Sequence, residues 1–195
     1  NDTISLNLTI QESDDLPVFS PNLHDGNASV LLQRSENITT PLFQVSASDP
    51  DGGTVSYSIH HGQDQDKFDI NQTSGWVSFI PSFSPDFENP EDDNLLNTYE
   101  VTVAASDVNG SSYQYFTLQV TDEYEPPFFV SSPTFSVSEN QLIVGSPTIS
   151  DVDDGDTHTF SIEPQALYSD DAALFDINSS SGLITFKSAP DFEAN

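Results

Sequence analysis

Residues 67–79 read Lys-Phe-Asp-Ile-Asn-Gln-Thr-Ser-Gly-Trp-Val-Ser-Phe, and residues 174–186 read Leu-Phe-Asp-Ile-Asn-Ser-Ser-Ser-Gly-Leu-Ile-Thr-Phe. Each copy is followed by the same four residues, Pro85-Asp86-Phe87-Glu88 and Pro190-Asp191-Phe192-Glu193. Phe-x-Ile, an Asn-to-Gly turn and a second apolar alternation spell two short strands joined by a tight turn. One phrase said twice marks an internal repeat, spaced by about 100 residues, the length of a small domain.

Further pairs keep the same order on either side. Glu36-Asn37 answers Glu139-Asn140, Asp49-Pro50-Asp51 answers Asp151-Val152-Asp153, and Pro17-Val18-Phe19 answers Pro127-Phe128-Phe129. The opening run, 6–12, matches 116–122, so it reads as the last strand of a preceding repeat. Period-two alternation runs through Phe43, Val45, Ala47; Val55, Tyr57, Ile59; Val77, Phe79; Tyr99, Val101, Val103, Ala105; and Phe116, Leu118, Val120. Residues in that phase face one core. Turn signals separate the runs at Asp51-Gly52-Gly53, Ser74-Gly75 and Asn109-Gly110, and no segment keeps a helical period.

The expected fold is therefore all-β: tandem seven-stranded Greek-key β-sandwiches of immunoglobulin-like type, the last one truncated. The expected division is 1–16, the last strand and linker of a preceding repeat; 17–126, a complete repeat; and 127–195, a partial repeat lacking its last two strands. Without equivalents of 99–106 and 113–121, Phe160, Ile162, Phe175, Ile177, Ile184 and Phe186 lose their cover. That part is expected to be unstable or to associate through open sheet edges.

Charge narrows the function. Thirty-two acidic residues stand against only Arg34, Lys67 and Lys187, a formal net charge of −29. A phosphate backbone needs a basic footprint, so nucleic acid is excluded, and an anionic membrane surface is repelled. Carboxylates that recur at fixed places suit a hard cation such as Ca2+, which takes six to eight oxygen ligands. There is no cysteine, hence no disulfide, thiolate metal site or thiol nucleophile. No apolar run spans a bilayer, and Asn1 begins without a signal peptide, so the chain reads as an excerpt whose export signal or anchor lies elsewhere.

With these motifs in order, the chain resembles the cadherin family along essentially its whole length. The resemblance rests on Glu36, Asp49–Asp51, Phe68–Val77, Asp86-Phe87-Glu88, Ala105-Ser106-Asp107 and Asp122-Glu123-Tyr124-Glu125-Pro126-Pro127-Phe128-Phe129. Asp-Phe-Glu-Asn in place of the family's Leu-Asp-Arg-Glu is closer to the cadherin-like repeats of large bacterial surface proteins. The resemblance implies an extracellular or cell-surface, non-enzymatic adhesion or spacer module, anchored or exported by other segments. Its partners would be calcium ions and neighbouring repeats of the full-length chain, with another cell-surface protein or a polysaccharide as further candidates.

The resemblance also implies calcium held between successive repeats, each repeat giving half a site. For a central junction it assigns Glu36, Asp86, Glu88, Glu125, Asp151 and Asp153, with the backbone carbonyls of Glu123 and Pro126. An upstream half-site takes Asp14, Asp15, Asp49, Asp51 and Asp107; a downstream half-site takes Glu139, Asp191 and Glu193. Tyr124 departs from the family's ligating Asn, whereas Asp14 fills the equivalent place upstream. Calcium would convert a hinged chain into a rod, since crowded carboxylates repel without it.

An enzyme reading has little support. His24, His60, His61 and His158 lie in expected turns or strand ends with no nucleophile or ligand partner at a recognisable spacing. Neither Asp49 nor Asp151 opens an EF-hand, because position twelve is His60 or Ile162 rather than Glu. The rival reading is a carbohydrate-binding accessory module of a secreted polysaccharide-degrading protein, using an exposed aromatic face. Trp76, out of phase with Val77 and Phe79, is expected to be partly exposed. Asn-x-Ser/Thr triplets occur at Asn7, Asn27, Asn37, Asn71, Asn109 and Asn178 among others.

Overall fold

The structure is a computed structural model, described here for residues 7–9, 14–20, 29–153, 155–163 and 170–194. The chain divides into two units, Asn1–Glu123 and Tyr124–Asn195. Among the described residues the helical turns are two short 3-10 pieces, Gln65–Lys67 and Asp170–Leu174. Everything else that is regular is β.

In the first unit the strands are β1 (Val18–Phe19), β2 (Val30–Ser35), β3 (Phe43–Gln44), β4 (Ala47–Ser48), β5 (Ser56–His61), β6 (Phe68–Ile70), β7 (Trp76–Phe79), β8 (Thr98–Ser106) and β9 (Ser111–Thr121). One sheet runs β2-β9-β8-β5, with β2 parallel to β9 and the other pairs antiparallel. The other face is built from β3-β7-β6 and the β1-β4 pair. β3 and β4 belong to one extended run: Val45 donates its N–H to Gly75 O at 2.9 Å, and Ser46 O accepts the Ser20 N–H at 2.8 Å. The run passes from β7 to β1. β1 and β2 serve different sheets, β1 pairing with β4 and β2 with β9.

Alternation becomes burial. Phe43, Val45, Tyr57, Val77, Phe79, Tyr99, Val101, Val103, Ala105, Phe116, Leu118 and Val120 join Phe19, Leu42 and Phe68 in one core. Phe43 stacks on Phe116 across the two sheets at 4.7 Å, and Phe79 meets Tyr99 edge-on at 5.6 Å, favoured aromatic geometries. Gly75 is required by its place: φ is 72°, and a Cβ there would stand 2.4 Å from Val45 O. Trp76 is 44% exposed, as its phase predicts.

In the second unit β10 (Phe128–Phe129) pairs with β12 (Ile149–Ser150), and β11 (Ile143–Gly145), β14 (Ile184–Phe186) and β13 (Phe175–Ile177) form an antiparallel sheet. Its core is open. Phe175, Ile184 and Phe186 are half-buried, whereas their counterparts Phe68, Val77 and Phe79 are buried. Phe160, Ile162 and Ile177 are half-buried too. Asn7–Thr9 form no strand, and the remainder of the expected opening strand, 6 and 10–12, lies outside the described residues. Asn27 and His24 also lie outside them.

Candidate metal half-sites

Each unit carries the same acidic hardware, in the first directly after β2 and in the second shortly before β11. In the first unit, Glu36 follows β2, and its N–H continues the pairing to Thr121 O at 3.0 Å. Its carboxylate is buried, with Oε2 accepting the Phe87 N–H at 2.8 Å and Oε1 the Glu123 N–H at 3.1 Å. Asn37 then turns with φ of 56° and donates its N–H to Pro85 O at 3.0 Å. In the second unit Glu139 Oε2 accepts the Phe192 N–H at 3.0 Å, and Asn140, φ 59°, donates to Pro190 O at 2.8 Å. The repeated Glu-Asn and Pro-Asp-Phe-Glu phrases are thus one lock made twice.

Around each lock the carboxylates converge. Glu36, Glu88 and Asp122 each offer an oxygen within 4.8 Å of the others, and so do Glu139, Asp191 and Glu193. Asp122, the first residue after β9, is an addition to the sequence assignment; its place at the head of the linker motif is the signal that could have found it. Asp86 instead accepts the Asn89 N–H at 2.9 Å, closing a turn. Asp191 likewise accepts the Glu193 N–H at 3.1 Å.

The Asp-x-Asp turns repeat as closely. Asp49 Oδ1 accepts the Asp51 N–H at 2.8 Å, and Asp151 Oδ1 accepts the Asp153 N–H at 3.2 Å. A Cβ at position 53 would lie 2.1 Å from Asp49 Oδ2, so Gly53 makes room for that carboxylate. Asp15 donates its N–H to Asp51 Oδ2 at 2.5 Å. Asp107 Oδ1 accepts the N–H groups of Asn109 and Gly110 at 2.7 and 2.8 Å, leaving Oδ2 buried with no hydrogen-bond partner among the described residues. Asp14 is exposed beside Asp15. In the second unit the Glu125 N–H donates to Asp153 Oδ2 at 3.0 Å, and Asp153 Oδ1 is buried and unpartnered. Asp151 Oδ2 is buried as well, with His158 Nε2 at 3.5 Å, too far for a strong hydrogen bond.

The donor set fits a hard divalent cation. Every candidate is a carboxylate or carbonyl oxygen, the ligand type of Ca2+. Asp107 and Asp153 each keep a buried oxygen with no donor among the described residues, an arrangement that costs free energy unless something positive lies there. The basic residues are engaged elsewhere: Arg34 at Leu42 O and Gln33 O, Lys67 at Glu91, Lys187 at Ala173 O.

Residues 31–121 match the protein-family model described as "Cadherin domain". The chain is 28% identical over 185 residues to cadherin-related family member 1a of Danio rerio, covering 84% of this chain and 20% of that protein. It is 26% identical over 197 residues to protocadherin Fat 4 of Homo sapiens, covering 97% and 4%. It therefore spans a fifth or less of these relatives. Among solved structures, human protocadherin-24 EC1-2 superposes with a TM-score of 0.57 at 22% identity, covering 90% of this chain and 81% of that one. Mouse cadherin-23 EC22-24 gives 0.55 at 22% identity, covering 93% and 57%. Residues 31–121 therefore match the cadherin domain in sequence, and the fold is the β-sandwich fold of cadherin extracellular segments.

Proposed function

We propose that the chain is a non-catalytic, extracellular adhesion or spacer segment in which Ca2+, held between successive repeats, stiffens a rod. The observation that carries this reading is the repetition of one acidic arrangement in both units, with a buried, donor-free carboxylate oxygen on Asp107 in one and on Asp153 in the other. For calcium at a central junction, Glu36, Asp86, Glu88 and Asp122 would serve as the first unit's half-site, and Glu125, Asp151 and Asp153 as the second unit's. Asp14, Asp15, Asp49, Asp51 and Asp107 would serve an upstream junction, and Glu139, Asp191 and Glu193 a downstream one. The proposed repeat boundaries are 1–16, 17–126 and 127–195. Calcium would supply positive charge between carboxylates that otherwise repel, two of them about 5 Å apart by roughly 3 kcal/mol at an effective dielectric of about 20.

The test is a calorimetric calcium titration of the chain after chelation, with magnesium as the control. Saturable calcium binding that Asp151→Asn and Asp153→Asn together weaken is expected. Heat indistinguishable from dilution, or equal affinity for magnesium, would overturn the calcium reading, because Mg2+ demands a smaller octahedral shell.

A further inference from the structure

Asn109-Gly110 is the one Asn-Gly step in the chain. It stands at the tip of the β8–β9 hairpin, where Asn109 is exposed and Val108 is 97% exposed. Such a step carries its own chemistry. The backbone nitrogen of the second residue attacks the asparagine Cγ; the new N–Cγ bond forms, the Cγ–Nδ2 bond breaks, and ammonia leaves with the proton that nitrogen gave up. Water then opens the five-membered imide at either carbonyl, giving aspartate, or isoaspartate with the backbone rerouted through the side chain. Water is the sole co-reactant. Glycine leaves the attacking nitrogen least shielded, because no Cβ stands beside it.

The turn itself does not demand glycine at this position. Gly110 is not among the residues of positive φ, and the one atom near a Cβ there would be Leu16 Cδ2, at 2.7 Å, the far end of a flexible side chain. What restrains the chemistry is Asp107. Its Oδ1 accepts the Gly110 N–H at 2.8 Å and the Asn109 N–H at 2.7 Å, while its own N–H donates to Gly110 O at 3.0 Å. Attack requires the Gly110 nitrogen to lose its proton, and with it a charge-assisted hydrogen bond.

We propose that Asn109-Gly110 is a self-modification site, which deamidates spontaneously at a rate held down by the Asp107 carboxylate. Either product adds a negative charge two residues from Asp107. Isoaspartate also adds a backbone methylene, which pulls the two N–H donors off Asp107 Oδ1. The hairpin tip and the acidic group around Asp107 therefore change together as the protein ages.

The experiment incubates the intact chain at neutral pH in chelator, so that its outcome does not depend on calcium binding, and follows Asn109 by peptide mapping with isoaspartate detection. Modification is expected at Asn109 ahead of the other asparagines, slower than in a free peptide of residues 105–113, and suppressed in Gly110→Ala. Asp107→Ala should accelerate it about tenfold or more, the factor corresponding to ~1.4 kcal/mol of lost hydrogen bonding. Asp107→Asn keeps an acceptor oxygen without its charge and should fall between, so a misfolded alanine variant would not decide the matter. An Asn109 still intact in the folded chain and in both Asp107 variants when the peptide is converted would overturn the site. Wild-type rates in both variants, with wild-type conversion, would overturn the restraint.

Discussion

Glu36 Oε2 accepts the Phe87 N–H at 2.8 Å although 51 residues separate them, and the other oxygen of the same carboxylate accepts the Glu123 N–H at 3.1 Å. One buried acid thus ties the end of β2 to the Asp-Phe-Glu motif and to the segment after β9. This work is done before any ion arrives. Glu36→Ala is expected to destabilise the first unit by about 1–3 kcal/mol in chelator, because it strips two amide donors of their acceptor. Asp122→Asn, at an exposed position, should stay within about 0.5 kcal/mol under the same conditions and lose stability relative to wild type only when calcium is present. Urea unfolding in chelator and in calcium separates the two roles.

Asp153 makes the opposite prediction. Its Oδ1 is buried with no hydrogen-bond donor among the described residues, and an unsatisfied buried oxygen costs free energy until a cation meets it. Asp153→Asn should therefore leave stability in chelator unchanged or higher, while reducing the gain on adding calcium. A ligand at a hundredfold excess over its dissociation constant stabilises by about 2.7 kcal/mol, a difference that thermal unfolding resolves. A variant that loses stability in chelator and keeps the full calcium gain would contradict this account.

Most of the first unit was legible because period two converts directly into a buried face. Val101, Val103 and Ala105, or Phe116, Leu118 and Val120, need only their alternation to be placed in the core. Side-chain hydrogen bonding to distant backbone has no such period. Asp64 and Asp92 read in sequence as ordinary members of acidic runs, yet both are buried. Asp64 accepts the Asp93 and Glu100 N–H groups, each at 2.8 Å; Asp92 gathers those of Leu96, Asn97 and Thr98 at 3.1–3.2 Å. They hold a loop in which Leu95 and Asn97 have φ near 60°, and nothing local distinguishes them from solvated neighbours such as Asp66 and Asp93. The acidic groups of the candidate half-sites were legible for a different reason: the same phrases occur twice, and repetition singles out Glu36 and Glu139 where acidity alone would not. Asp122 was missed because in sequence it reads as the end of a strand, matched to Glu12, and not as part of the acidic group around Glu36.

Tyr99 links this buried acidity to alkaline pH. Burial pushes its phenol up to about 12, assisted by the charges of Asp92, Asp64 and Glu91 and opposed by the hydrogen bond from the Glu91 N–H. A phenol held above its unfolded value of about 10 binds its proton more tightly in the folded state, so stability falls wherever the unfolded chain alone has ionised. The contribution is fully present below about pH 10 and is lost as pH rises towards about 12, amounting to about 2–3 kcal/mol. Tyr99→Phe should flatten that alkaline slope. Unfolding midpoints measured from pH 9 to 12 check it, and an unchanged slope would assign the loss to another group.

The two units should differ in how deeply their amides are protected. In the first, β8 and β9 pair from Thr98–Gln119 through Ser106–Ser111, and β8 is flanked on its other side by β5. Tyr99, Val103, Ala105 and Leu118 are 0% exposed, so opening these strands requires unfolding the whole core. In the second, the described strands are two or three residues long, and Gly182 is the one buried position among the described residues. Phe128, Phe129 and Ile143 are more than half exposed, so little apolar area is lost when those strands open. Hydrogen exchange on the chain in saturating calcium is expected to give the slowest amides in β8 and β9 and shallow protection in β10–β14. Equal, deep protection of both units in a demonstrated monomer would mean that stability in the second unit comes from something other than its own buried core.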